Sequence, residues 1–161
     1  MASTTFSGPV TSTNGFVTGS GALVSATAAT LSATSADHSG RTVLLDRAAG
    51  IAVTLPAATG SGNSYKFFVA TTITSNSTTI KVADATDIMA GLAIVANDSD
   101  ASASIFETAA DSDTITFNGS TTGGIKGATV ELQDVASNLW SVRVVGAATG
   151  TEATPFSATV S

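Results

Sequence analysis

Apolar and polar residues alternate over short stretches of this chain, and the alternation predicts β-strands with one buried face. Ile80 and Val82 alternate with polar residues, and the same spacing recurs at Trp140, Val142 and Val144. A period of two is typical of a strand, whereas the apolar positions of a helix recur every three or four residues. Val130, Leu132, Trp140, Val142 and Val144 are the core residues that this pattern predicts near the C-terminal end.

About nine segments carry the strand pattern, with turn residues at intervals of about ten positions. This spacing predicts an all-β body, built as a β-sandwich, a jelly roll or a small barrel. The first two segments are predicted to pair as a hairpin, and so are the last two. Residues 83–91 give the best match to a turn of helix, and Asn118-Gly119 is a strong turn signal. The predicted strands are residues 42–46, 51–55, 65–72, 78–83, 88–96, 104–108, 114–118, 125–135 and 138–145.

The two ends of the chain differ in composition from the predicted strands. Residues 1–20 carry no charge and only isolated apolar residues, which favours an extended arm over a core element; a disordered terminus is the alternative. The chain is therefore divided into this arm, a β domain at 21–146 with 21–40 as a candidate linker, and a C-terminal tail at 147–161. Apolar and proline residues in the two ends are the candidate partner-binding anchors: Phe6, Pro9, Val10, Phe16, Val17, Pro155 and Phe156.

Composition narrows the classes of function. Of the 161 residues, 43% are hydrophobic and only 11% are charged, and the net charge is −6. The hydrophobic content favours a folded domain over a disordered one. The absence of cysteine excludes disulfides, thiolate catalysis and cysteine-ligated zinc. The six Lys and Arg residues are scattered along the sequence, so neither nucleic acid nor an anionic membrane is an expected partner.

Targeting segments are not expected either. The first residues lack the basic and apolar regions of a secretory signal. No apolar run approaches the length that spans a bilayer, so we expect a protein that is soluble where it is made.

Two features that could carry chemistry are better explained as structure. His38 lies between Asp37 and Ser39, but the members of a catalytic triad converge from separate elements, so a solvated loop histidine is the expectation. The acidic loops at 98–100 and 111–113 do not continue into an EF-hand pattern. Aspartates that cap turns explain them, and a structural cation at a subunit interface stays open. No cofactor is expected.

Six short motifs occur in order along most of the chain. They are TFSGPV at 5–10, LPAATGSGNSYKF at 55–67, TITSNS at 72–77, KVADATD at 81–87, DTITFNG at 113–119 and GTEATPF at 150–156. In this order they resemble small virion proteins that are encoded beside the major capsid proteins of tailed bacteriophages. That family is the capsid decoration, or cement, proteins.

The resemblance implies a β-sandwich or jelly-roll body that assembles as a homotrimer on the capsid exterior. The implied partner is the major capsid protein, and the implied role is structural, with trimers that bridge capsomers against the pressure of packaged DNA. No catalytic residue comes with the family, so we expect a protein that is not an enzyme.

Functions of two other classes remain as alternatives. A carbohydrate-binding or adhesive sandwich of a phage tail or cell surface would use Tyr65 and Trp140 as a stacking platform. The alternation of Trp140 with Val142 and Val144 favours core or interface packing instead. A hydrolase would need two carboxylates at a defined separation, which a sequence does not show.

Overall fold

The structure is a computed structural model that describes residues 23–160. In this range it is almost entirely β, with one short helix, α1 (Ser35–His38). The strands are β1 (Leu23–Ala26), β2 (Thr30–Ser32), β3 (Thr42–Leu45), β4 (Ala52–Thr54), β5 (Ser64–Val69), β6 (Thr78–Lys81), β7 (Ile88–Ala96), β8 (Ala103–Glu107), β9 (Thr114–Phe117), β10 (Thr129–Ala136), β11 (Leu139–Ala147) and β12 (Phe156–Ser157). No helix of the described range is long and apolar enough to cross a membrane. The prediction of an all-β fold is confirmed.

The strands form two sheets around one core, as expected for a sandwich-like body. The larger sheet has seven strands in the order β1-β3-β5-β10-β11-β7-β8, and the smaller has five in the order β12-β9-β6-β4-β2. Trp140 packs edge-on against Tyr65 between the sheets, with ring centroids 5.6 Å apart. The five predicted core residues are all buried: Val130, Leu132, Trp140, Val142 and Val144.

The first six strands alternate between the two sheets. β1, β3 and β5 pair in parallel in the larger sheet, and β2, β4 and β6 pair in parallel in the smaller one. Each successive pair of strands is therefore one turn of a flattened β-solenoid. Leu23, Thr42 and Lys66 occupy equivalent positions in three successive turns. Each turn buries its apolar face against its neighbour, as in other solenoids.

The second half of the chain closes the body largely with antiparallel pairs. β10 and β11 form the predicted final hairpin, and β10 also pairs with β5 of the solenoid. The predicted turn at Asn118-Gly119 is confirmed by the positive φ of Gly119, 81°. The side-chain oxygen of Asn118 accepts hydrogen bonds from the N–H groups of Ser120 and Thr122, which fixes this turn.

The connectivity differs from the prediction at two places. The predicted hairpin of residues 42–46 and 51–55 is wrong, because β3 and β4 lie in different sheets. The helical turn predicted at 83–91 is also wrong, since that range runs into β7, and the helix lies at 35–38 instead. Five of the ten strand pairings are parallel, whereas a jelly roll is antiparallel.

Two segments of arm-like composition are integrated into the body. The candidate linker at 21–40 contains β1, β2 and α1 from residue 23 onward. In the tail, β12 pairs with β9, and the carboxylate of Asp113 accepts hydrogen bonds from the N–H groups of Thr159 and Val160. The predicted arm at 1–20 lies outside the described residues.

Candidate binding surface

The face of the larger sheet that points away from the core carries side chains in ordered rows. Successive side chains of a strand point to opposite faces, so every second residue points outward. The burial pattern of β5, in which Tyr65, Phe67 and Val69 are buried, shows which residues these are. Paired positions on neighbouring strands continue each row across the sheet. We call this surface the outer face.

One row of the outer face is apolar. Its members, in order across the sheet, are Leu44, Phe68, Val145, Ile94 and Ile105, with Thr129 between Phe68 and Val145. Ile105 is 65% exposed and Val145 is 39% exposed. Single exposed apolar residues are ordinary, but five that share one row across a sheet face suggest an interaction site. We call these five residues the apolar row.

The adjacent row, two residues away along each strand, carries charged side chains on β5, β10, β11 and β8, with the apolar Leu92 of β7 before Glu107. Lys66, Glu131 and Arg143 occupy neighbouring positions on β5, β10 and β11. The Nζ atom of Lys66 lies 3.1 Å from Oε1 of Glu131, and both side chains are about half exposed. An exposed pair of this kind adds at most about 1 kcal/mol to stability. Its placement therefore matters more for binding than for folding.

A groove of about 530 Å³ lies on the charged side of the outer face. Arg41, immediately before β3, completes a set of three cations around it. We call it the basic groove, and its charged and polar lining includes Arg41, Lys66, Arg143, Glu131, Gln133 and Ser141. The six basic residues are scattered along the sequence, but the fold brings three of them together around this groove.

Asp134, near the end of β10, is a buried carboxylate that holds the loop at 59–61. Its oxygens accept hydrogen bonds from the N–H groups of Thr59, Gly60 and Ser61, at 2.7 to 3.1 Å. The hydroxyl groups of Thr59 and Ser61 donate to it as well. Burial alone would raise the pKa of Asp134, but these hydrogen bonds outweigh it and hold the pKa well below the usual range. The residue therefore supports the fold.

The two predicted anchors in the tail are buried in the chain's own body. Phe156 is 7% exposed and belongs to the hydrophobic core, and Pro155 is buried beside it. In this arrangement neither side chain is presented to a partner. The other predicted anchors lie outside the described residues: Phe6, Pro9, Val10, Phe16 and Val17.

Replacement of Phe156 by alanine should destabilise the chain. Deleting a buried aromatic side chain removes apolar burial and leaves a cavity; at this two-residue edge strand we expect a loss of about 2 kcal/mol. Urea unfolding measures it, with Val135→Ala, which truncates an exposed side chain, as control. Unchanged unfolding together with weakened partner binding would instead support the anchor hypothesis.

The other predicted candidates have structural partners. The prediction of a solvated loop histidine is wrong, because His38 is buried. Its Nδ1 accepts a hydrogen bond from the N–H of Thr34 at 3.0 Å. Asp100 accepts the N–H group of Ser102, which is the predicted turn-capping role. Asp84 makes the same kind of contact with the N–H group of Thr86. Within residues 23–160, no three His, Asp or Glu side chains are grouped so that they could hold a metal ion.

The two aromatic residues considered for sugar stacking face the core. Tyr65 is 1% exposed and Trp140 is fully buried, so neither can stack against a bound sugar. The Tyr65 hydroxyl and the Trp140 Nε1 have no hydrogen-bond partner in the described part of the chain. Burial, and secondarily the charge of Asp134, raise the pKa of Tyr65.

Comparison with known proteins adds no relative. No protein-family model, no curated protein and no solved structure matches this chain. The outer face, with its apolar row and basic groove, is consequently the feature of the molecule from which a function can be inferred.

Proposed function

We propose that this chain is a structural, non-enzymatic virion protein that decorates the exterior of a tailed-phage capsid and stabilises it. Its partner is the major capsid protein, and it assembles as a homotrimer that bridges neighbouring capsomers. The observation that carries the proposal is the apolar row on the solvent side of the larger sheet. The two sheets of residues 23–160 fold around their inner faces, and no third layer of this range covers the row, which leaves it available to a partner.

The energetics of the apolar row suit a repeated, non-covalent contact. Full burial of an isoleucine or valine side chain contributes about 1.5 to 3 kcal/mol, and Ile105 and Val145 still expose 65% and 39% of their surface. The binding free energy from such a contact is modest for a single copy of the chain. Linked copies on an ordered shell gain from avidity, because each bound copy raises the effective concentration of its neighbours.

The N-terminal edge of the body supports the proposed role of the arm. β1 and β2 are edge strands of their sheets, and their sequences, LVSA and TLS, contain no charged residue and no proline. Natural edge strands usually carry such residues, which block pairing with another chain. An unblocked edge suits strand addition. In the proposal, the arm anchors bind the capsid, or the arm adds as a further strand beside β1 or β2.

Replacement of Val145 by lysine should weaken capsid binding about tenfold or more without unfolding the protein. The change places a charge in the apolar row, and its desolvation opposes burial against a partner. Val135→Lys is the matched control, since Val135 is 46% exposed but lies outside the row. The measurement is co-sedimentation with mature capsids assembled without this protein, with electron microscopy of the pelleted shells.

Saturable binding of the wild-type chain, at a fixed number of copies per capsomer, is the result expected for a decoration protein. Density at positions where capsomers meet would locate the bridge. A wild-type chain that stays in the supernatant would overturn the proposal. Equal loss of capsid binding in Val145→Lys and Val135→Lys would mean that the apolar row is not the specific contact with the capsid.

A further inference from the structure

The basic groove concentrates positive charge on an acidic protein. The chain has six Lys and Arg residues and a net charge of −6, yet three of those six side chains surround this one groove. Glu131 is the carboxylate among them, so the four charges give the groove a net charge of +2. Arg41 immediately precedes β3, Lys66 lies on β5 and Arg143 lies on β11, so the sheet itself assembles the cluster.

Two of the three cations form no ion pair with the described part of the chain. Lys66 is paired with Glu131, and this is the only ion pair among residues 23–160. Arg41 and Arg143 have no carboxylate partner within that range. The 22 residues that precede β1 contain no Asp or Glu, so that segment brings no carboxylate to the groove. The guanidinium groups are therefore available to an external anion.

We propose that the basic groove binds an acidic segment of a partner protein, with the partner's carboxylates held by Arg143 and Arg41. This inference rests on the proposed function and names the chemistry of the partner's contact surface. A guanidinium group binds a carboxylate through two parallel hydrogen bonds, which gives geometric specificity as well as affinity. The negative charge of the rest of the chain repels an acidic partner elsewhere and so directs it to the groove.

The position of the groove favours a polypeptide over a free anion or a glycan. Arg143 and Val145 are two residues apart on β11, so the charged row and the apolar row are about 7 Å apart. A ligand that fits both rows needs carboxylates and apolar side chains side by side at that spacing. A protein surface provides this combination, whereas an anionic polysaccharide has no counterpart to the exposed Ile105 and Val145.

The test compares Arg143→Glu with Lys126→Glu. Both replace an exposed cation and change the net charge equally, but Lys126 lies outside the groove. In co-sedimentation with capsids assembled without this protein, Arg143→Glu should raise Kd about tenfold or more and Lys126→Glu about twofold or less. Wild-type binding should also weaken between about 50 mM and about 500 mM salt. Circular dichroism and thermal unfolding of both variants check that the fold is retained.

Two soluble probes separate this inference from the proposed function. Fluorescein-labelled hexaglutamate should bind the wild-type chain and Lys126→Glu, and not Arg143→Glu; this result supports the groove even if capsids are not bound. If both variants bind capsids as well as the wild type does, the proposed role of the basic groove is overturned and the proposed decoration role is not affected. Binding of a sulfated oligosaccharide but not of hexaglutamate, lost in Arg143→Glu, would overturn the polypeptide assignment and identify a glycan ligand.

Discussion

Replacement of Asp134 by alanine should lower the free energy of unfolding by about 4 kcal/mol. The change removes the acceptor of three backbone N–H groups and two hydroxyls, at a site where the residue is only 2% exposed. A buried donor left without an acceptor costs about 1 to 3 kcal/mol, and relaxation of the loop recovers part of the sum. The loop at 59–61 would lose its side-chain hydrogen bonds to β10 and keep only the backbone contacts beside it, such as Gly62 N–H to the Asp134 carbonyl.

The pH dependence of stability gives a second signature of Asp134. Because its pKa is held below the ordinary value for aspartate, the charged carboxylate favours the folded state. Its contribution is fully present above the ordinary value and is lost as the pH falls through the lowered pKa. Asp134→Asn, which keeps the shape and removes the charge, should therefore lose more stability at pH 7 than at pH 3.

Urea unfolding of the wild type, Asp134→Ala and Asp134→Asn at these two pH values measures both effects. Asp111→Asn is the control, since Asp111 is an exposed aspartate. A difference below about 1 kcal/mol between wild type and Asp134→Ala at pH 7 would mean that water replaces the carboxylate without cost, which contradicts a buried structural role.

The sequence predicted which residues of a strand face the core, and did so for a physical reason. Alternation at Trp140, Val142 and Val144 reports the two faces of a strand directly, and all three residues are buried. Alternation does not report which strand is the neighbour. Residues 42–46 and 51–55 are joined by a short connection, which usually makes a hairpin, but here the connection passes from one sheet to the other.

The apolar row had a sequence signal whose meaning depends on the fold. Phe67, Phe68 and Val69 are consecutive apolar residues, and their bulk predicts a core position. The structure buries Phe67 and Val69 and leaves Phe68 half-buried on the outer face. Consecutive apolar residues in a strand whose outer face is covered by no second layer of residues 23–160 point to an interaction surface. That distinction needs the order of the sheets.

The basic groove had no sequence signal. Arg41, Lys66 and Arg143 lie far apart along the chain, and neither charge runs nor spacing connect them. They come together because β3 pairs with β5, β5 with β10, and β10 with β11. Two of these three contacts depend on the solenoid winding and on the insertion of β10 beside it. Only the strand order could have located this site.

Replacement of Gly91 by alanine should destabilise the fold by about 4 kcal/mol, because the strands leave no room for a side chain. Gly91 lies in β7 opposite Val142 of β11, with a φ of +156°. A Cβ atom at this position would overlap the carbonyl oxygen of Val142 and lie 2.8 Å from its carbonyl carbon. The obstacle is the backbone of the neighbouring strand β11, so no rotamer change relieves it.

Gly40→Ala separates this clash from the ordinary cost of a left-handed conformation. Gly40 has a φ of +70°, and apart from its own atoms and its two chain neighbours no heavy atom of residues 23–160 lies within 4 Å of the position that an alanine Cβ would take. Its replacement should therefore cost only about 1 to 2 kcal/mol. Urea unfolding of both variants measures the difference. Equal losses would mean that β7 shifts freely against β11. Since β7 and β8 carry Ile94 and Ile105, a shift of β7 would also displace part of the apolar row. Under the proposed function, Gly91→Ala should therefore also weaken capsid binding.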